Sequence, residues 1–143
     1  MFYGEFKHNL DNKGRLILPS LFRDVAKENY IENFYITRGF EGCLLMFSEQ
    51  EWRDQESKLK QLSFTKKESR KFSRLYFSAA AKVNVDKQGR FLLPKYLKDF
   101  ANIQREVIFI GVSNRVEIWS SETWKKYYES EKNSFEDIAE TLF

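Results

Sequence analysis

Polar and apolar residues alternate along residues 6–10, FKHNL, near the start of the chain. A period of two predicts a β-strand with one buried face. The polar segment 11–14, DNKG, then predicts a tight turn, because an Asp side chain accepts backbone N–H bonds and Gly14 tolerates a positive φ. Apolar residues resume at 16–18, and Pro19 ends this second strand or opens the following helical turn.

Two further apolar segments, 34–37 and 43–47, predict a second pair of strands around a turn at 39–42. Ser48 and Glu51 have the spacing of a capping box, which predicts a helix that begins after Ser48. The predicted order is strand, turn, strand, short helix, strand, strand and helix.

The same order of elements returns later in the chain. Residues 86–94, DKQGRFLLP, repeat residues 11–19, DNKGRLILP, with the same Asp, Gly, Arg, Leu and Pro, at an offset of 75 (86 − 11). A deletion of three residues changes the offset to 72, which pairs Gly39 with Gly111. Self-similarity of this kind indicates a duplicated structural unit.

The repeat predicts an α+β fold, mainly β, in which two halves bury their apolar faces against one another about a pseudo-two-fold axis. We expect the first half with its following helix at 5–56 and a basic helical spacer at 57–80. The second half with its following helix is expected at 81–128, and an acidic C-terminal tail at 129–143.

The spacer contains a second capping-box pattern, Thr65 with Glu68, ahead of an apolar stripe that includes Phe72 and Tyr76. The opposite face of this predicted helix is basic over residues 66–74. That face is interpreted either as a second DNA surface or as the back of a helix that contacts another subunit through Phe72 and Tyr76. A last helix is predicted from Ser120 or Ser121 onward, continuing into the tail through Phe135, Ile138 and Leu142.

The composition is that of a globular domain, since 42% of the residues are hydrophobic and 14 are Phe. No apolar run approaches the roughly 18 residues that a membrane span needs, and the first residues lack the pattern of a secretory signal. The single cysteine, Cys43, cannot form an internal disulfide. We expect a soluble cytoplasmic protein without a membrane partner.

Charge is distributed unevenly along the chain. The formal net charge is +3, but residues 129–143 contain five acids and one base, a net of −4, so the rest carries +7. A basic body is compatible with nucleic-acid binding, which needs locally clustered cations.

The sequence contains little catalytic chemistry. His8 lies on the apolar phase of a strand and is expected to be partly buried, and Cys43 is expected to be a small core residue. Zinc-ligand spacings, a GxSxG motif and a phosphate-binding glycine loop are all absent. We therefore expect no enzyme activity, no cofactor and no metal.

Arg15 and Arg90 each follow the turn glycine at the start of a strand. Such an arginine either pairs with the Asp four residues earlier and stabilises the hairpin, or donates to a phosphate or a guanine edge. Recurrence in both halves favours the second interpretation. Other cations near the two copies are Lys7, Lys13, Arg23, Lys82, Lys87, Lys95 and Lys98.

The chain closely resembles the MraZ proteins, bacterial regulators of the division and cell-wall gene cluster. The resemblance is carried by two DxxxR motifs within LDNKGRLILP and VDKQGRFLLP. It extends through RGFEGCLLMF, FTKKESRKFSRLYFSAA, IGVSNRVEIWSSETW and SFEDIAE, and so covers essentially the whole chain.

The resemblance implies two SpoVT-AbrB-type domains that form a pseudo-dimeric swapped-hairpin β-barrel. It also implies a closed ring, commonly an octamer, that binds direct repeats in double-stranded DNA upstream of its own operon as a nucleoid-associated repressor. The alternative is a ring-forming scaffold protein whose basic turns contact an acidic protein.

The resemblance also implies roles for individual residues. Its DNA-contact candidates are Arg15 and Arg90, to which we add Lys13 and Lys87. Asp11 and Gly14, with Asp86 and Gly89 in the second copy, are the residues expected to shape the turns.

Overall fold

A computed structural model describes residues 1–143. The strands are β1 Phe2–Asn9, β2 Arg15–Ile17, β3 Asn33–Arg38, β4 Leu44–Ser48, β5 Ala81–Asn84, β6 Arg90–Leu92, β7 Glu106–Ser113 and β8 Val116–Ser120. The helices are α1 Ser20–Glu28, α2 Glu49–Leu59, α3 Lys67–Ser78, α4 Lys95–Phe100, α5 Ser121–Glu131 and α6 Phe135–Leu142.

Strands of the two halves interleave in one antiparallel sheet of six, in the order β1-β7-β8-β4-β3-β5. The first strand of each half pairs with the third strand of the other half, since β1 pairs with β7 and β5 pairs with β3. The second strands, β2 and β6, pair only with each other in a two-stranded ribbon that lies against β1 and β5. This exchange of hairpin strands confirms the predicted α+β fold with two interlocked halves.

The strand register defines the pseudo-two-fold axis. In the middle of the sheet, Leu45 of β4 lies opposite Glu117 of β8, and these are equivalent positions of the two halves. In the ribbon, Leu16 of β2 lies opposite Phe91 of β6, which are again equivalent. The axis therefore passes through both residue pairs and relates the first arginine turn to the second.

The predicted pairing of Gly39 with Gly111 is wrong. Phe34 of β3 pairs with Val83 of β5, and Val107 of β7 pairs with His8 of β1. Because His8 and Val83 are equivalent at the offset of 75, Phe34 is equivalent to Val107. The third strands of the two halves, β3 and β7, therefore align with an offset of 73. The Gly39 N–H donates to Cys43, and the corresponding bond in the second half runs from Val112 to Arg115. The three-residue deletion is therefore split, with two residues lost before the third strand and one in the turn after it.

The largest hydrophobic cluster joins the halves. Its 21 buried residues come from both halves and include Phe22, Phe34, Phe91 and Phe109. Complete burial of a side chain of this size contributes about 1.5–3 kcal/mol relative to exposure. No helix in the chain has the length and apolar character that a membrane crossing needs.

Two of the three predicted helix starts are confirmed. The Ser48 hydroxyl accepts a hydrogen bond from the N–H of Glu51, and that of Ser120 accepts one from Thr123. The predicted cap at Thr65 is wrong, because α3 begins at Lys67 without a side-chain cap and the Thr65 hydroxyl instead pairs with that of Ser63. A 3₁₀ turn at Lys132–Ser134 separates α5 from α6, so the predicted last helix is two helices.

Candidate nucleic-acid interface

The turn after β1 is organised by Asp11. Its Oδ1 accepts hydrogen bonds from the backbone N–H groups of Lys13 and Arg15, at 2.8 and 2.9 Å. The backbone of Asp11 bonds to Arg15 and to Gly14, which has a φ of +78°. Glycine adopts this conformation at little cost, whereas a residue with a Cβ is strained there.

The turn after β5 repeats this geometry atom for atom. Asp86 Oδ1 accepts from the N–H groups of Gln88 and Arg90, both at 2.9 Å, and Gly89 has a φ of +82°. The two turns are also linked across the axis. The Gly14 carbonyl accepts from the N–H of Leu93, and the Gly89 carbonyl accepts from that of Leu18. Each turn is therefore anchored to the opposite half.

Each arginine is oriented by the Asp of its own turn. Arg15 Nε donates to Asp11 Oδ2 at 2.8 Å, and Arg90 Nε donates to Asp86 Oδ2 at 3.1 Å. The terminal amino groups of both guanidinium ions have no hydrogen-bond partner within the chain. About 29% of the Arg15 side chain and 32% of the Arg90 side chain is exposed. The two interpretations of these arginines are compatible, because the ion pair uses Nε and leaves both amino groups free to donate.

The carboxylates stay ionised in this arrangement. The hydrogen bond from the backbone N–H of Arg15 lowers the pKa of Asp11 most, desolvation opposes it, and the Arg15 guanidinium and the Lys13 N–H lower the pKa further. Arg90 lowers the pKa of Asp86 in the same way. Both turns therefore keep their Asp–Arg ion pair at neutral pH.

The outward face of the β2–β6 ribbon brings the two arginines together. Leu16 and Phe91 point into the core, so the alternate residues Arg15, Ile17, Arg90 and Leu92 share the opposite face. Arg15 pairs with Leu92, which makes Arg90 its diagonal neighbour, with the two Cα atoms roughly 7–8 Å apart.

Sequence reasoning missed the two apolar members of this face. Ile17 is 42% exposed and Leu92 is 58% exposed. Each belongs to an unbroken apolar run, LIL or FLL, in which the phase of burial is not visible. Once β2 and β6 are known to pair as a ribbon, the burial of Leu16 and Phe91 predicts that Ile17 and Leu92 point outward.

The predicted lysines lie at different places in the two turns. Lys13 corresponds to Gln88, and Lys87 corresponds to Asn12. Both lysines are exposed, and neither makes an ion pair. Among the other cations near the turns, Lys7 lies 3.7 Å from Glu106 and Lys95 lies 2.8 Å from Asp99.

Arg23 on α1 makes the second turn unlike the first. Its Nη1 donates to the Gln88 carbonyl at 3.4 Å, while its Nε is buried without a partner. A Cβ on Gly89 would lie 2.4 Å from Arg23 Cδ. The equivalent residue in the second half is Lys98, which makes no hydrogen bond to the first turn.

The other chemically interesting residues are structural. His8 packs edge-on against Phe109 with ring centroids 5.6 Å apart, and its pKa is lowered by burial and then by Arg23. Cys43 is buried, which raises the pKa of its thiol to about 12. No three His, Cys, Asp or Glu side chains converge where they could hold a metal ion.

The fold and the site together define a duplicated swapped-hairpin protein with one arginine turn in each half. A family model for the MraZ protein, provisionally described as antitoxin-like, matches residues 1–75 and again residues 76–143. The chain belongs to the MraZ family. This is a family of regulators rather than of enzymes, which agrees with a DNA-binding regulator in general.

Proposed function

We propose that the protein is a sequence-specific repressor of its own division and cell-wall gene cluster. It binds tandem direct repeats in the promoter as a homo-oligomeric ring, with an octamer as the expected size, and it associates with the nucleoid. Arg15 and Arg90 contact DNA, Lys13 and Lys87 add phosphate contacts, and no cofactor takes part.

The observation that supports this proposal most strongly is the pair of arginine turns on one face of the ribbon. The major groove of B-DNA is about 12 Å wide and admits a two-stranded β-ribbon. Two diagonal positions of the ribbon, whose Cα atoms lie roughly 7–8 Å apart, fit within that width. Free amino groups on a planar fork suit the two acceptors of a guanine edge or the oxygens of a phosphate.

Assembly explains why direct repeats are needed. One ribbon offers few contacts and would bind weakly. Several ribbons on a ring engage adjacent repeats of one DNA, and each further contact forms at a high effective concentration. Phosphate contacts then make binding steeply salt-dependent, while contacts to base edges select the sequence.

The proposal assigns separate tasks to the parts of the chain. The halves at 5–56 and 81–128 form the DNA-reading body, the segment 57–80 connects them, and the tail at 129–143 lies outside that body. The arginine turns belong to the body alone.

Footprinting of the purified protein on the DNA that precedes its own gene tests the function. We expect protection of short, regularly spaced repeats that persists with excess non-specific DNA. A scaffold protein that meets DNA only through general attraction would instead give weak, sequence-independent shifts. That outcome, with no protected repeat, would refute the proposal.

A further inference from the structure

Arg23 on α1 lies directly against the second arginine turn, although it precedes Gln88 by 65 positions in the chain. A Cβ built on Gly89 would meet three atoms of the Arg23 side chain, with Nη1 at 3.0 Å, Nε at 3.1 Å and Cδ closer still. Nη1 also donates a long hydrogen bond, 3.4 Å, to the Gln88 carbonyl. The Arg23 side chain therefore packs into the space that the missing side chain of Gly89 leaves open.

The helix that carries Arg23 is firmly held. The neighbouring Phe22 is fully buried and packs edge-on against Phe2 and Phe6, with ring centroids 5.4 and 5.2 Å apart. Edge-on aromatic contacts stabilise a core beyond the area that they bury. The backbone N–H of Arg23 donates to the Pro19 carbonyl at 2.9 Å, within the first turn of α1. The side chain that supports the second turn thus extends from a fixed backbone.

The contact carries an energetic penalty. Arg23 Nε is buried without a hydrogen-bond partner, and a buried donor without a partner opposes folding. A cavity of about 250 Å³ lies between α1 and the turn, with Arg23, Asp86, Lys87 and Gly89 in its lining. A shorter side chain at position 23 would enlarge this cavity and leave the turn without its support. Departures of this kind from ideal packing occur at functional sites.

The first turn has no such support. At the offset of 75, the residue equivalent to Arg23 is Lys98, which makes no hydrogen bond to the first turn. A Cβ on Gly14 would meet only the Leu92 side chain, at an ordinary contact distance of 3.7 Å. Because the two turns share their Asp-centred hydrogen bonds, Arg23 is what distinguishes the second turn from the first.

We propose that Arg23 is a positioning residue for Arg90. It holds the backbone of Gln88 and Gly89, and Arg90 follows at once, with its N–H and its Nε both bonded to Asp86. A side chain that is already ordered loses less conformational freedom on binding, so its contact with a ligand is tighter. The role rests on the DNA-binding function proposed above and adds that the two turns contact DNA with unequal strength.

Unequal turns suit repeats that share one orientation. A reader with exact two-fold symmetry matches a palindromic site, because the symmetry of a site mirrors that of its protein. A direct repeat lacks that symmetry, so the two turns of one ribbon have to meet it differently. The packing of Arg23 on one turn alone supplies such a difference.

Hydrogen exchange of the free protein, followed by NMR, tests the positioning without DNA. The N–H groups of Gln88 and Arg90 correspond to those of Lys13 and Arg15 in the first turn. We expect the second turn to be the better protected of the two. Arg23→Ala should speed the exchange of Gln88 and Arg90 about tenfold and leave the first turn unchanged.

Two further variants separate support of the turn from loss of charge. Lys98→Ala removes a cation from the equivalent position of the other half and should change the exchange of neither turn. Arg23→Lys keeps the charge and the aliphatic stem over Gly89, so it should retain most of the protection. Circular dichroism checks that each variant keeps the fold.

The affinity for the promoter repeats tests whether Arg23 acts through Arg90. Arg23→Ala should weaken binding about tenfold, both in the unmodified protein and in an Arg15→Ala background. In an Arg90→Ala background, at a salt concentration low enough for that variant to bind, the same change should have no further effect. A double-mutant cycle of this kind isolates the coupling between two residues. General damage to the fold would lower the affinity by the same factor in all three backgrounds.

Contrary results distinguish the positioning role from the proposed function. An unmodified protein without specific promoter binding would overturn the proposed function and with it the role of Arg23 in DNA binding. Specific binding with an equal loss in all three backgrounds, or an unchanged second turn in Arg23→Ala, would overturn the positioning role alone. A loss that persists in the Arg90→Ala background with a weaker salt dependence would show that Arg23 itself contacts a phosphate, which also contradicts positioning.

Discussion

A single carboxylate organises each arginine turn. Asp11 accepts two backbone N–H bonds through one oxygen and orients Arg15 through the other, and Asp86 does the same for Arg90. The Asp of the DxxxR motif therefore acts on the backbone and on the guanidinium together. The arginine is held in place before any ligand arrives.

At the residue scale, the two turn glycines should differ in their tolerance of alanine. Gly14→Ala places a Cβ at positive φ and is expected to cost roughly 1–2 kcal/mol. Gly89→Ala carries the same strain and also pushes a methyl group against Arg23, which adds about 1–3 kcal/mol of overpacking. Urea unfolding of both variants measures the difference.

The contribution of Arg23 can be isolated with a second variant. In an Arg23→Ala background, Gly89→Ala should lower the free energy of unfolding only as much as Gly14→Ala does in the unmodified protein. Equal losses in the two single glycine variants would contradict the asymmetry between the turns.

The lowered pKa values of Asp11 and Asp86 predict a pH dependence of stability. A carboxyl whose folded pKa lies below its usual value, near 3.8, stabilises the fold above that value and loses this contribution as pH falls through the folded pKa. The variant with both Asp→Asn changes keeps one side-chain acceptor oxygen in each turn but has no charge to lose.

The measurement is the difference in unfolding free energy between the native protein and this double variant. We expect it to be constant above about pH 5 and to shrink as the solution is acidified below that. A difference that is independent of pH down to pH 2 would show that the ion pairs do not carry the effect.

At the element scale, side-chain caps start the helices that close each half. Ser48 caps α2 and Ser120 caps α5 at equivalent positions. Replacement of either by alanine should cost about 1 kcal/mol, because an N–H of the first turn loses its acceptor. Thr65→Ala is the matched control, since Thr65 caps no helix, and it should change stability by less than about 0.5 kcal/mol.

Thermal and urea unfolding of the three variants provide the comparison. A loss for Thr65→Ala as large as that for the two serines would show that the measured effect does not come from capping.

Local patterns predicted the elements well and their partners poorly. Alternation at 6–10 and the turn at 11–14 are decided by neighbouring residues, so both were visible in the sequence. The pairing of β1 with β7 is a contact between residues about a hundred positions apart, and only the family resemblance pointed to it. Gly39 aligns with Val112 because the turn after β7 is one residue shorter than the turn after β3. The two glycines, Gly39 and Gly111, suggested a different alignment and concealed this difference.

In the candidate site, too, local patterns predicted the turns but not the contacts with distant residues. Both DxxxR motifs were found from the sequence, because each turn is built within five residues. Arg23 was predicted only as a nearby cation, although it packs against a turn 65 positions away. Its role depends on how α1 lies against the opposite half, and no local pattern contains that information.

At the scale of the whole molecule, the exchange of strands makes the halves interdependent. Residues 1–75 alone would leave β1 and β3 without their partners from the other half. We expect this fragment to be unfolded or to pair with a second copy of itself, and to form a one-to-one complex when mixed with residues 76–143. Circular dichroism with mass determination checks this, and a cooperatively folded single chain of residues 1–75 would contradict the interlocked fold.

We propose that the two arginine turns together read DNA. The most direct measurement is the affinity for the promoter repeats, at one salt concentration, of a variant with both Arg15→Ala and Arg90→Ala. Loss of two bidentate contacts, each about 1–3 kcal/mol, should weaken binding at least about 30-fold. Arg→Lys at both positions should retain non-specific binding but lose discrimination between the promoter and scrambled DNA.

Lys126→Ala is the control for lost charge, because Lys126 lies on α5, away from the ribbon, where it pairs with Glu122. It should bind like the unmodified protein. We expect a loss of affinity confined to the arginine variants, with the fold and assembly intact. Promoter binding by the double alanine variant that equals that of Lys126→Ala would contradict the proposal.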